Sequence, residues 1–551
     1  MHMHFNTAGP NDPAEHYTID PFTRIDWSDI QGLIDLKKFF VLHAPRQTGK
    51  TTLLEAIVKR LNEEGQYVAM RFSVESASAY GENAPAALGN ILSRMLGAAS
   101  VVHPGSWVAQ NGRAVVRGED PLIALNLLLT RWAQHSEKPI VLLIDEIDSL
   151  VGNTLVSVLS QLRDGYTSRP SPFPHSVILC GVRDVRDYRI NTSSGVVRGG
   201  SCFNVKAASM RLGDFSGAEV RALYEQHTSE TGQLFGTGVV DRVIELTNGQ
   251  PWLVNRLGDE LTNWTIKLRD RSVAIELADL EDAKERIVRG CETHLDVLGE
   301  SLKDSRVRRV IEPILMGRGV REDSWTEDDV EYVKSIGLIT EPPGGVMRIA
   351  NPIYQEVIPR KLTSVMQRLL VNETVIEPYY HNGRMLFSKM IEGFQQYYLE
   401  NASALKTFRE SGGGDIRLDL QYQHAWPLLL LQAWLQRIAN GGGMVSREYA
   451  LGTERVDLFV RNYYNDPSGE RKEERFLIEV KIVHAHESRD AVVKKGLGQL
   501  ESYASMSNPY ELHMLVVDAR PNPQEPRIYC EQAMVGNWPV TVWGLCSRIG
   551  E

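Results

Sequence analysis

APRQTGKTT, residues 44–52, decides how the first half of the chain is read. An apolar run, KKFFVLHA (37–44), leads into it, and KTTLLEAIVKRLNEE (50–64), apolar at helical spacing, leads out. The pattern predicts a buried strand, a tight loop and a helix. Gly49, Lys50 and Thr51 match the end of G-x-x-x-x-G-K-[ST], with Ala44 in place of the first glycine. Backbone N–H groups at a helix start, helped by the helix dipole, cradle phosphate. Ala44, Pro45, Arg46, Gln47, Thr48, Gly49, Lys50, Thr51 and Thr52 are therefore the candidate phosphate-binding residues. Gly49 allows close backbone approach, Lys50 would reach β- and γ-phosphates, and the Thr51 hydroxyl would hold Mg²⁺.

A second motif follows in the required order. VLLIDEID (141–148) is an apolar strand ending in two acids. Asp145 would hold Mg²⁺ through water, and Glu146 would polarise the attacking water. Alone, such a strand is as simply read as a core strand ending in solubilising acids. Paired with the loop at 44–52 it points to ATP binding. QYVAMRFSV (66–74) and SVILCGV (176–182) are further strands, and DPLIALNLLLTRWAQ (120–134) is a helix. Continuous apolar strands separated by helices suggest a parallel sheet covered on both faces. In CGVRDVRDY (180–188), Arg183 either senses the γ-phosphate or pairs with Asp184 or Asp187 as a surface arginine.

From 211 to 300 the strands stop and helices form a small lid, with Asp214 and Ser216 as starts and Asn248-Gly249 as a stop. NGQPWLVNRL (248–257) lies in it. Residues 301–370 read as helix, helix and a hairpin around Pro342-Pro343-Gly344-Gly345, the outline of a winged helix. No helix face there is plainly basic, which favours packing over DNA binding. HAPRQTGKTTLL, LLIDEID, GVRDVRDY, GQPWLVN and the winged-helix segment together resemble the STAND group of P-loop ATPases, relatives of AAA+ proteins, over about residues 30–370. The resemblance implies an ATPase that changes conformation with nucleotide and oligomerises, and it adds Pro251 of the G-x-P signature to the nucleotide-binding set.

The C-terminal region poses a charge problem. ERFLIEVKI (474–482) is a greasy strand carrying Glu479 and Lys481, two apart and so on one face. Burying either charge is costly without compensation. GTERVDLFVRN (452–462) precedes it, and a turn or loop at 463–473 would set Asp457 beside Glu479 and Lys481. Two carboxylates can share a divalent metal, Mg²⁺ or Mn²⁺, and Lys481 can activate a water against a phosphodiester. The plainer reading is a solvated edge strand. Asp457, Glu479, Lys481 and the Gln499-x-x-x-Tyr503 of GLGQLESYA (496–504) resemble the PD-(D/E)XK nuclease superfamily, RecB-like branch, over about 415–551. The resemblance implies metal binding by Asp457 and Glu479 and catalytic roles for Asp457, Glu479, Lys481, Gln499 and Tyr503. Many members carry another acid on the first helix, and QYQHAWPLLLL (421–431) offers Gln421, Gln423 and His424 but no acid. His484 and His486 read as a polar strand end.

The chain has 551 residues, 42% hydrophobic and 24% charged, with formal net charge -10. That size implies several domains and excludes a uniformly basic coat. Five scattered cysteines form no C-x-x-C, so neither a disulfide framework nor a zinc site is expected. MHMHFNTAGPNDPAEHYTID reads as a loose, disordered start, and the apolar run at 426–435 is too short to span a bilayer. The expected compartment is the cytoplasm.

The expected architecture is multidomain α/β. A lead-in (1–30), a P-loop parallel-sheet ATPase core (31–210), a helical lid (211–300) and a winged helix (301–370) come first. A helical connector ending in the SGGGD linker (371–415) then leads to a restriction-endonuclease-like α/β domain (416–551). The expected function is an ATPase controlling a metal-dependent DNA endonuclease in prokaryotic defence. ATP and Mg²⁺ (or Mn²⁺) are the cofactors, and the expected partners are DNA or RNA, further copies of the chain and an activating ligand or protein. Two rivals fit the same residues: a C-terminal domain that binds nucleic acid or a partner without cutting, and a nucleotide-driven signalling switch.

Overall fold

The computed structural model describes residues 3–182, 189–192, 195–198, 205–290, 298–315, 326–341, 347–369, 379–400, 426–439, 443–451, 454–483, 487–518, 520 and 528–546. The chain forms two compact units, 1–290 with 327–340, and 291–326 with 341–551.

The first unit is built on four apolar runs that the sequence marks as strands. These are β1 (Phe39–His43), β2 (Val68–Ser73), β3 (Ile140–Asp145) and β4 (Ser176–Gly181), joined in the sheet by β7 (Lys206–Arg211). A short pair, β5 (Arg189–Thr192) and β6 (Gly195–Arg198), lies between β4 and β7 in sequence. The order β2-β3-β4-β1-β7 is parallel throughout. Every residue of β3 and β4 is buried, because helices cover both faces. One face packs Leu88, Leu125, Trp132 and Leu159 against Val41, Leu142 and Leu179. The other packs Leu54, Ile57 and Leu61 against Phe40, Val141 and Ile178. The loops after β1 and β3 flank the carboxyl end of β4, where open parallel sheets bind ligands.

In the region expected to be a lid lie the helices Gly217–Thr231, Val239–Thr247 and Pro251–Asp259. Ser216 caps the first through a reciprocal box with Glu219, and Asn248 closes the second in left-handed geometry, as the sequence signals predict. Gly249 has φ +77°, and a Cβ there would lie 1.9 Å from the Phe215 carbonyl oxygen, so only glycine fits.

The N-terminal segment corrects the expectation of a loose start. Phe5 and Tyr17 are buried. Phe5 sits against Tyr17 and Tyr224 with ring centroids 4.9 and 5.0 Å apart. The Tyr17 hydroxyl donates to Glu230 Oε2 at 2.7 Å and lies 3.0 Å from His227 Nδ1. Trp252 Nε1 donates to the Thr7 carbonyl at 3.0 Å, and His4 pairs with His16 rather than standing free. Residues 3–24 are thus a strap across the lid.

Of the expected winged helix, Ser305–Leu315, Glu327–Ser335, β8 (Ile339–Thr340) and β9 (Arg348–Ile349) are present. The turn at Pro342-Pro343-Gly344-Gly345 and the SGGGD linker lie outside the described residues.

The second unit holds a hairpin, β10 (Tyr380–His381) with β11 (Arg384–Met385), and a six-stranded mixed sheet. Its strands are β12 (Gly443–Leu451), β13 (Glu454–Asn465), β14 (Arg471–Val483), β15 (Glu511–Asp518), β16 (Ile528–Val535) and β17 (Trp538–Cys546), ordered β12-β13-β14-β15-β17-β16. The first three are antiparallel, and β14, β15 and β17 run parallel. Of the turn or loop expected at 463–473, the structure shows a turn at 466–470, with β13 and β14 extending into its two arms. Alternation divides β14. Phe476 and Ile478 face the helices Phe387–Glu400 and Trp426–Ala439, and Leu477 and Val483 face the helix Arg489–Ser507.

Because Phe5 is one of the buried rings that anchor the strap, Phe5→Ala is expected to destabilise the first unit by about 3 to 5 kcal/mol. Chemical denaturation followed by tryptophan fluorescence measures it, and an unchanged midpoint would contradict the packing account.

Candidate active sites

The loop after β1 wraps around the start of the helix Lys50–Glu64. Gln47 (φ +56°) and Gly49 (φ +86°) adopt left-handed geometry and turn the backbone back on itself. A Cβ on Gly49 would stand 3.2 Å from Arg24 Nη1 of the strap. Ala44 follows directly on β1, and its N–H donates to the Gly181 carbonyl at 3.2 Å, so the position of the missing first glycine continues the pairing of β1 with β4. Lys50 is 7% exposed, and its Nζ donates to the carbonyls of Ala44 (3.0 Å) and Pro45 (2.9 Å). Thr48 Oγ1 donates to the same Pro45 carbonyl at 2.7 Å. Arg46 and Gln47 are exposed at the loop tip.

The loop after β3 supplies the acids. Asp145 is 1% exposed, and its Oδ2 accepts from Thr51 Oγ1 at 3.0 Å. Glu146 follows with φ +59°, uncommon for a residue with a Cβ and costing on the order of 1–3 kcal/mol. Burial holds its carboxyl above the usual range; Asp148 adds to this and Lys50 opposes it. A raised pKa suits a base working near neutral pH. Beside the loop a cavity of about 120 Å³ is lined by Gln47, Gly49, Thr52, Pro251, Trp252 and strap residues including Asn11. The Asn11 N–H donates to Thr52 Oγ1 at 3.1 Å. The sequence-predicted set therefore converges, Pro251 included, while Arg183 lies outside the described residues.

In the second unit Leu458 pairs with Ile478, which sets Asp457 beside Glu479. Asp457 Oδ2 accepts the Val480 N–H at 2.8 Å. Glu479 is 2% exposed and forms an ion pair with Lys481 through Oε1. Its Oε2 is buried with no hydrogen-bond partner, as is Gln499 Oε1 on the helix above. A Cβ on Gly496 would lie 3.2 Å from both Cγ and Cε of Lys481, so that helix packs directly on the lysine. Tyr503, one turn beyond Gln499, is buried in the same layer. Burial first, and then the Asp457 charge, push the Glu479 carboxyl up to about 8, against the pull of Lys481. Two adjacent carboxylates, one with an orphaned oxygen, are a hard-oxygen donor set for a divalent cation. Among the described residues no group of three or more His, Cys, Asp or Glu is arranged to hold a metal. His484, His486, Gln421, Gln423 and His424 lie outside the described residues.

Comparison with known proteins separates the two sites. Residues 34–188 match the AAA domain family. They form an AAA-type P-loop ATPase domain. The chain is similar to a Walker-type ATPase of Pyrococcus abyssi, with 14% identity over 64% of this chain and 99% of that one at TM-score 0.43. It is also similar to the RuvB Holliday junction branch migration motor of Thermotoga maritima, with 13% identity over 64% and 96% at TM-score 0.29. Domain III of the Thermotoga maritima replication initiation protein DnaA matches at 13% identity over 51% and 100%, with TM-score 0.32. A search of curated proteins gives no match. Among the described residues no helix is long and apolar enough to cross a membrane.

Sequence reading missed two groups at the first site. The strap residues carry no motif, and only their aromatics, Phe5 and Tyr17, mark them as something other than linker. Arg71 on β2 donates to Asp145 Oδ2 at 2.9 Å, a contact set by the parallel register that aligns Ser73 with Asp145.

Glu479 generates a pH prediction. Its folded pKa lies above the ordinary value of 4.5, so the native state holds a proton that the unfolded chain releases. The associated stability is present in full below about 4.5 and is lost as pH rises toward about 8. Thermal unfolding of the second unit should therefore weaken from pH 5 to 8 in wild type and less so in Glu479→Gln. Parallel pH profiles for the two proteins would contradict a buried, protonated Glu479.

Proposed function

We propose that this protein is an ATP-controlled, metal-dependent DNA endonuclease. Residues 31–210 would form the ATPase core, 211–300 its lid, 301–370 a winged helix and 371–415 a connector to a nuclease domain at 416–551. Lys50 and the N–H groups of 46–51 would hold the phosphates of ATP. Thr51 and Asp145 would face Mg²⁺, which when bound neutralises the phosphate oxygens. Glu146 would take the proton of the attacking water, and the cavity beside Thr52 and Pro251 leaves room for the rest of the nucleotide. Arg183 is kept as a candidate sensor of the γ-phosphate.

The observation that carries the nuclease half is the unpartnered Glu479 Oε2 next to Asp457, with Lys481 under the Gly496–Tyr503 face of the helix. A solvated edge strand accounts for none of this, because Glu479 is buried in a strand flanked by β13 and β15. The element order, helix Trp426–Ala439, three antiparallel strands, helix Arg489–Ser507, parallel β15, supports the PD-(D/E)XK reading. Asp457 and Glu479 would hold Mg²⁺ or Mn²⁺, which when bound polarises the scissile phosphate. Lys481 would orient the attacking water, and Gln499 and Tyr503 would position the lysine and the substrate strand. Assembly into homo-oligomers, a cytoplasmic location and a role against foreign DNA complete the proposal. The rival reading, a C-terminal domain that binds without cutting, is favoured by the small donor set, two carboxylates rather than three.

Plasmid and linear DNA incubated with the protein, Mg²⁺ or Mn²⁺, with and without ATP, test this. Lys481→Ala is expected to lower cleavage on the order of a hundredfold or more while leaving ATP hydrolysis intact. Lys50→Ala is expected to abolish hydrolysis and the ATP-dependence of cutting. Cleavage that is identical with ATP, without ATP and in Lys50→Ala would refute control, and no cleavage of DNA or RNA would leave the binding-only reading.

A further inference from the structure

Asp145 is neutralised by the protein itself. Its Oδ2 accepts from both Thr51 Oγ1 at 3.0 Å and Arg71 Nη1 at 2.9 Å, and its Oδ1 accepts the Glu146 N–H at 3.0 Å. The other edge of the same guanidinium donates from Nη2 to Glu55 Oε1 at 3.0 Å. Glu55 is on the helix that the phosphate loop opens, four residues after Thr51. Arg71 therefore ties three parts together: β2, the acid at the end of β3, and the helix behind the loop. The surroundings are acidic. Asp145, Asp148 and Glu75 all act on Glu146, with Lys50 as the opposing cation. Lys50 Nζ is already held by two loop carbonyls, and among the described residues Arg71 is the cation in direct contact with Asp145.

A divalent cation facing Thr51 and Asp145 and the Arg71 guanidinium are rivals for one carboxylate. We propose that Arg71 is a positioning residue that serves as a resident counter-cation. It keeps Asp145 aimed at Thr51 when no nucleotide is present, and it competes with Mg²⁺ for that carboxylate. Metal then binds well only together with the nucleotide phosphates, which supply the additional negative charge. The proposal rests on the reading of Asp145 as the acid facing Mg²⁺. Two consequences follow from electrostatics. Removing one partner of a buried ion pair leaves an uncompensated charge and costs stability. Removing a nearby positive charge strengthens the attraction of the carboxylate for another cation. A salt bridge with only a structural role produces the first effect without the second.

Arg71→Met and Arg71→Lys in the full chain test this. Thermal unfolding is followed in metal-free, nucleotide-free buffer, and binding of a fluorescent non-hydrolysable ATP analogue is followed across a Mg²⁺ titration. Arg71→Met is expected to unfold at lower temperature, and a second change, Asp145→Asn, to recover most of that loss. The Mg²⁺ concentration for half-maximal analogue binding is expected to fall about tenfold in Arg71→Met. Arg71→Lys, which cannot span both acids, is expected to shift in the same direction by less. An unchanged or raised Mg²⁺ midpoint, with stability lost, overturns the proposal. Failure of wild type to bind the analogue at any Mg²⁺ concentration overturns the reading of the site and the proposal with it.

Discussion

A carboxylate buried at the edge of an apolar strand is unstable unless a cation or hydrogen-bond donor meets it. Both candidate sites are answers to that constraint. In the first unit Asp145, at the end of a fully buried strand, is met by Thr51, Arg71 and the next backbone N–H. In the second, Glu479 is met on one oxygen by Lys481, while the other oxygen has no partner. The difference is chemical: Asp145 is satisfied as it stands, whereas Glu479 keeps one buried carboxylate oxygen without a hydrogen-bond partner.

The folds place these acids in different ways. Parallel β strands in the ATPase domain deliver the phosphate loop and the acids to one end of the sheet, on either side of β4. The acids of the second unit sit inside the sheet, on the face covered by Arg489–Ser507, where an antiparallel neighbour brings Asp457 to Glu479. Gly496 is what lets that helix come down on Lys481. The strap adds a third arrangement, in which a segment distant in sequence lines the cavity at Gly49 and Thr52 and is fastened to the lid through Phe5, Tyr17 and Thr7.

Much of this was legible in the residues. Four strands of the ATPase domain and the helix Lys50–Glu64 follow from apolar runs and periodicity, and the start of the helix Gly217–Thr231 and the end of Val239–Thr247 follow from Ser216 and Asn248. Asp457, Glu479, Lys481, Gln499 and Tyr503 converge because period-2 and period-3.6 spacing suffices to put them on facing surfaces. The misses have physical causes. The strap is polar and rich in turn residues, so two or three buried anchors are swamped by its composition. YYNDPSGERKE reads as loop because the arms of an exposed hairpin are polar on both faces, and pairing rather than propensity makes them strands. β16 escaped notice because half of its residues are exposed and only Val535 is buried. Arg71 was invisible because its role depends on which strand lies beside β3, and that is a matter of sheet order.

The central claim is that Asp457 and Glu479 form a cation site of their own, independent of nucleotide. Electron paramagnetic resonance of free Mn²⁺, titrated with the full-length protein in the absence of nucleotide, tests it most directly. The account predicts a bound Mn²⁺ that persists without nucleotide, survives Lys50→Ala and disappears in Glu479→Gln. Mn²⁺ that binds only with nucleotide, or that binds equally to Glu479→Gln, would contradict it.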